Sequence, residues 1–129
     1  MIYTGGNNNA ASSGVLKSIN FGKNWSKMNS GLSDTRIHGL YIIDDQGEHV
    51  VVGTPSGVFE SLDGGNMWVH VTQTQPWGVS NSFRNGTING VKYLFVGTNA
   101  GLGNVLLPKD PNSLSSLLNE TWRYCRISF

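Results

Sequence analysis

A single cysteine, Cys125, leaves the 129-residue chain without an intramolecular disulfide and without the paired thiols of a zinc site. It reads as a small structural thiol, and no metal or other cofactor is expected. Charge is also scarce. Charged residues make up 13% of the chain, about half the usual share for soluble domains, and the formal net charge is +1. The nine Lys and Arg residues are scattered, which excludes the basic stripe that a nucleic-acid backbone requires. Nucleic acid is not an expected partner. No run approaches the roughly 20 apolar residues of a membrane-spanning helix, and Met1 to Gly6 lacks the basic start and apolar stretch of a signal peptide. A membrane partner is therefore not expected either, and the visible chain reads as cytoplasmic or as a piece of something larger. Helical periodicity is missing too: the one candidate for a helical turn, Ser113 to Asn119, looks like an insertion.

What the chain has in quantity is glycine, 17 residues, with much Asn and Ser between short runs of Val, Ile, Phe, Tyr and Trp. That mixture suits short strands joined by tight turns. It is also periodic. The segment from Gly14 to Trp25 lies over that from Gly57 to Trp68, with Gly, Val, Ser, Gly and Trp recurring in place 43 positions apart. Val52-Gly53-Thr54-Pro55-Ser56-Gly57 lies over Val96-Gly97-Thr98-Asn99-Ala100-Gly101 at a spacing of 44, and Ile2-Tyr3-Thr4-Gly5 is a looser counterpart. A period in this range signals a repeat architecture. The second copy reads as four strands, Ile37 to Ile43, His49 to Thr54, Val58 to Ser61 and Met67 to Thr72. The expected fold is all-β: a β-propeller of about three four-stranded antiparallel blades, a single partial propeller over 1–129 with copies near 1–30, 31–74 and 75–129. The first copy begins at its second strand and lacks the innermost one, so about eleven strands are expected.

The segment Ser61-Leu62-Asp63-Gly64-Gly65-Asn66-Met67-Trp68 resembles the Asp-box, Ser-x-Asp-x-Gly-x-Thr-Trp, of sialidase-like (bacterial neuraminidase repeat) β-propellers. Ser18-Ile19-Asn20-Phe21-Gly22-Lys23-Asn24-Trp25 is a second copy with Asn in place of Asp, both copies replace the Thr before Trp, and the third copy keeps only Thr121-Trp122. The motif residues Ser18, Asn20, Gly22, Trp25, Ser61, Asp63, Gly65 and Trp68 are expected to be structural. The Asp or Asn accepts backbone N–H bonds across a hairpin turn, the Gly supplies positive φ, and the Trp ring is buried between sheets.

The resemblance implies fold but not reaction, because the superfamily includes hydrolases, lectins, receptors and assembly factors. It also implies that ligands meet the end of the blades opposite the Asp-box turns. In this chain that end should carry Asn7 to Ser13, Ser33 to Arg36, Pro55, Ser56, Gln73 to Gly78, Asn99 and Ala100. The ligand-binding candidates are Arg36, Trp77, Asp34 and Asn99, with Trp77 in Gln75-Pro76-Trp77-Gly78 either a flat platform for a sugar face or a residue packed between blades. The arginine triad, Tyr–Glu pair and acid of sialidases do not assemble from Arg36, Arg84, Arg123, Arg126, Glu48, Glu60 and Glu120. No catalytic residue is assigned. The expectation is a non-catalytic module binding a glycan or a protein; the alternative is a remnant or subunit of a sialidase-like or xyloglucanase-like glycoside hydrolase. Because three blades cannot close a propeller, a homodimer forming a six-bladed ring is expected, with Tyr3 to Trp25 of one copy near Val91 to Arg126 of the other.

Overall fold

A computed structural model describes residues 1–6, 13–71, 80–88, 91–98, 103–108 and 122–127. The chain is all-β: three antiparallel sheets follow one another along the sequence, and each is a meander whose neighbours in sequence are neighbours in space. The first sheet contains β1 (Ile2–Gly6), β2 (Gly14–Ser18) and β3 (Ser26–Lys27). The second contains β4 (Gly39–Ile42), β5 (Val50–Thr54), β6 (Gly57–Ser61) and β7 (Val69–His70). The third contains β8 (Ser80–Ile88), β9 (Val91–Thr98), β10 (Gly103–Pro108) and β11 (Trp122–Ile127). Among the described residues there are thus eleven strands, three in the first sheet and four in each of the others, and no helix. The segment Ser113 to Asn119 lies outside the described residues.

The second sheet is the middle layer, and β5 shows why. Val50, Val51 and Val52 are all fully buried, so this strand has no solvent face. Side chains alternate along a strand, so the three valines divide between two cores. Val50 and Val52 join Phe59 and Trp68 against Val15 and Ile37, on the side of the first sheet. Val51 joins Val58 against Phe83, Leu94 and Val96 of the third. A continuous Val run is the pattern of a strand covered on both sides, and each buried Val contributes about 1.5–3 kcal/mol before entropy is counted.

The fourth strand of the second sheet starts later than its sequence suggests. Against the expected Met67 to Thr72, β7 begins only at Val69: Val69 and His70 pair with β6, Val71 N donates to Val58 O at 2.8 Å, and Thr72 lies outside the described residues. The reason lies in the connection from β3 to β4. The Trp68 N–H leaves its own sheet and donates to the Ser30 carbonyl at 2.9 Å. The same connection donates from Met28 N to Val15 O, from Ile37 N to Gly6 O and from His38 N to Gly53 O, so it is stitched to the first two sheets along its course. Gly31, at φ 91°, allows the close pass: a Cβ there would collide with the Trp68 carbonyl. β8, by contrast, is nine residues long, because its ladder to β9 runs from Ser80↔Thr98 to Ile88↔Val91.

Candidate functional site

The two ends of the sheets carry different chemistry. At one end lie the β2–β3 and β6–β7 turns, which share one hydrogen-bond pattern. In the second sheet Ser61 Oγ donates to Asp63 Oδ1 at 2.8 Å and accepts the Gly65 N–H at 2.8 Å, while Asp63 Oδ1 accepts the Met67 N–H at 2.9 Å. In the first sheet Ser18 Oγ donates to Asn20 Oδ1 at 3.1 Å and accepts the Gly22 N–H at 2.9 Å, while Asn20 Oδ1 accepts the Asn24 N–H at 2.9 Å. Asn replaces Asp without loss because only one side-chain oxygen is used. Met67 and Asn24 replace Thr without loss because each contributes its backbone N–H. Gly65 and Gly22 sit at φ 88° and 83°, where a side chain is disfavoured.

The two tryptophans occupy equivalent places, each one residue ahead of the last strand of its sheet, yet their surroundings differ. Trp68 is 2% exposed, and its indole Nε1 donates to Met28 O of the neighbouring segment at 2.7 Å. Trp25 is 42% exposed and donates to Gly22 O within its own turn at 3.1 Å. The expected burial between sheets holds for Trp68 and not for Trp25, because among the described residues no sheet packs over the outward face of the first one.

Beside the Asp63 turn, the first sheet grips the second. Tyr3 and Lys17 are cross-strand partners on β1 and β2. The Tyr3 hydroxyl meets the Gly47 and Gly64 carbonyls at 2.7 and 3.0 Å, and Lys17 Nζ donates to Gly64 O at 2.9 Å. Partial burial, reinforced by the negative charges of Asp44, Asp63 and Glu48, raises the Tyr3 hydroxyl above the ordinary tyrosine range, so it remains protonated as a donor at neutral pH.

The opposite end gathers residues from the 28–38 connection and the β5–β6 turn. The buried Asp34 carboxylate accepts bonds from the Arg36 backbone N–H at 3.1 Å, Arg36 Nε at 2.9 Å, Arg36 Nη2 at 2.9 Å and Ser56 Oγ at 2.8 Å. The Arg36 guanidinium is the main reason this carboxyl is pushed down to about 2, with the Arg36 N–H and Ser56 adding to it against the opposing effect of burial. Thr35 lies beside Ser13 at 3.0 Å between hydroxyls. Two sequence candidates, Asp34 and Arg36, are therefore brought together. Asp34 faces its own loop, whereas the Arg36 side chain remains about half exposed. Trp77 and Asn99 lie outside the described residues.

Sequence reasoning passed over one constellation. His49 Nε2, one residue before β5, and Glu60 Oε1 of β6 form a buried pair, and His49 N donates to Asp44 Oδ1 at 3.0 Å. Strand parity carried the signal: His49 shares its face with Val51, and Glu60 shares its face with Val58. His70, on the other face, accepts an edge contact with Phe59 at 4.7 Å between ring centroids and has Nε2 at 2.8 Å from Ser56 O. Among the described residues no group of three or more His, Cys, Asp or Glu side chains is arranged to hold a metal ion, and no helix is long and apolar enough to cross a membrane.

Compared with protein-family models and with curated proteins, the chain matches none.

Proposed function

We propose that the chain consists of three blades of a sialidase-like Asp-box propeller and acts as a non-catalytic interaction module. The observation that carries the reading is the repeated turn: Ser18/Asn20/Gly22 and Ser61/Asp63/Gly65 make the same bonds with the same atoms, at the same hairpin of successive sheets. That end of the molecule is structural. The working end is the one bearing Arg36 and the Pro55-Ser56 turn, with Trp77 and Asn99 assigned to it by the repeat, and its ligand is a glycan or a protein partner.

The state of Asp34 favours binding over hydrolysis. A glycoside hydrolase needs a carboxylic acid whose pKa is raised so that it can protonate the leaving group. Asp34 is held the other way, at about 2, and its carboxylate is saturated by Arg36 and Ser56. It organises the loop rather than giving up a proton. A glycan array probed with the pure chain, followed by Arg36→Ala and Trp77→Ala, tests the reading: binding at this end is lost in both variants. Turnover of fluorogenic sialosides or β-glucosides that vanishes on replacing one carboxylate would establish the glycoside hydrolase reading instead.

A further inference from the structure

We infer that the outward face of the first sheet is the seat of a second copy of this chain, which docks its third sheet there. The register of β1, β2, β5 and β6 defines equivalent positions. Ile2 pairs with Ser18 and Thr4 with Leu16, as Val50 pairs with Ser61 and Val52 with Phe59. Ile2, Thr4, Leu16 and Trp25 are thus the counterparts of Val50, Val52, Phe59 and Trp68. In the second sheet that row is sealed against the first, at 2% exposure or less. In the first sheet the same row faces solvent: Ile2 and Trp25 are each 42% exposed, Thr4 is exposed and Leu16 is half-buried.

Phe21 points to the same surface by an independent route. It is 93% exposed, and its φ of 59° is the only positive value among the described non-glycine residues. A bulky side chain in the left-handed region is strained, and full exposure of the ring gives nothing back within the chain. Its counterpart is Gly64, also left-handed at φ 70°. A Cβ at Gly64 would lie 2.8 Å from Lys17 Nζ and 3.6 Å from the Tyr3 hydroxyl of the preceding sheet. The Phe21 side chain therefore projects toward the place where a preceding sheet would stand.

A sheet of the same repeat fits this face, since the contact between the first two sheets is the same surface already occupied. A second copy supplies it and also closes the assembly. Two chains of three sheets make a ring within the propeller range of about four to eight, with two identical junctions related by a two-fold axis. The inference rests on the repeat reading proposed above, and it is independent of any ligand.

Analytical ultracentrifugation of the 129-residue chain tests it, with the expected mass twice the 14.0 kDa of one chain. Phe21→Gly and Trp25→Ala should each raise the dimer dissociation constant at least tenfold. Phe21→Gly removes strain, so its thermal midpoint under dilute, monomeric conditions should be no lower than that of the parent; loss of association cannot then be ascribed to unfolding. A monomer at tens of micromolar, an open series growing with concentration, or a dimer indifferent to both substitutions would overturn the inference. A dimer that binds no glycan or protein leaves it standing and counts only against the interaction reading.

Discussion

The indole N–H of Trp68 reaches the Met28 carbonyl at 2.7 Å, joining the second sheet to the segment that leaves the first. The ring also packs with Val15, Ile37 and Phe59, so one residue provides both apolar burial and a directional bond between layers. Trp68→Ala should cost about 3–5 kcal/mol through the cavity it leaves. Trp68→Phe, which keeps most of the apolar contact but orphans Met28 O, should cost about 1–3 kcal/mol. Trp25→Ala, measured on the monomer, should cost well under half as much as Trp68→Ala. Urea unfolding at matched concentrations gives all three values.

The two repeat turns make a sharper comparison. Asn20 already performs the role of Asp63 with a single oxygen, so Asp63→Asn should change stability by less than about 1 kcal/mol. Ser61→Ala should cost about 1–3 kcal/mol, because the buried Gly65 N–H loses its acceptor. Equal effects of these two substitutions would contradict the bonding pattern. Chemical denaturation of the pair at neutral pH is sufficient.

The ease with which the turns were read, and the opacity of other features, have one physical cause. The Ser18-to-Trp25 and Ser61-to-Trp68 turns bind side chain to backbone within a few residues, so residue type and spacing carry the geometry. The strands are legible as short runs of β-branched and aromatic residues between turn-forming clusters, and the order of sheets from the repeat. The Tyr3 hydroxyl, in contrast, finds Gly47 and Gly64, 44 and 61 positions away, through the packing of one sheet on another. Asn29, which accepts the Val15 N–H at 2.8 Å and donates to Ser13 O at 3.1 Å, likewise stands in an irregular connection without a local motif. The late start of β7 follows from diversion of the Trp68 N–H to Ser30, a tertiary event that strand propensity does not register. At the opposite end Asp34 and Arg36 were legible as neighbours in sequence, but the contribution of Ser56 depends on the β5–β6 turn folding back beside them.

Acid should act through Asp34. Its folded pKa lies near 2, below the ordinary 3.8, so the stability it contributes is present above about pH 4 and is lost as the pH falls toward 2. Because Arg36 is half exposed and solvent screens the pair, the contribution is on the order of 1 kcal/mol. Asp34→Asn should lower stability by about that amount at pH 7 and flatten the stability profile between pH 4 and 2. Parallel profiles for parent and variant across that window would show that the carboxylate is not linked to folding.

The last prediction separates the two ends of the molecule. Tyr3 and Lys17 converge on Gly64 O and hold the first sheet to the Asp63 turn, whereas Arg36 crowns the opposite loops. Tyr3→Phe removes the hydroxyl that serves two carbonyls and should cost about 1–3 kcal/mol. Arg36→Ala also releases the Asp34 carboxylate, so its effect on binding must be judged beside Arg36→Lys, which keeps the charge but cannot repeat the planar two-nitrogen contact. A ligand or partner engaged at the loop end should lose at least tenfold in affinity with Arg36→Ala, less with Arg36→Lys, and nothing with Tyr3→Phe at temperatures where both proteins remain folded. Isothermal titration against the best binder from the glycan array, or against a captured protein partner, reads the three affinities. Loss of affinity in Tyr3→Phe equal to that in Arg36→Ala would move the binding surface to the turn end.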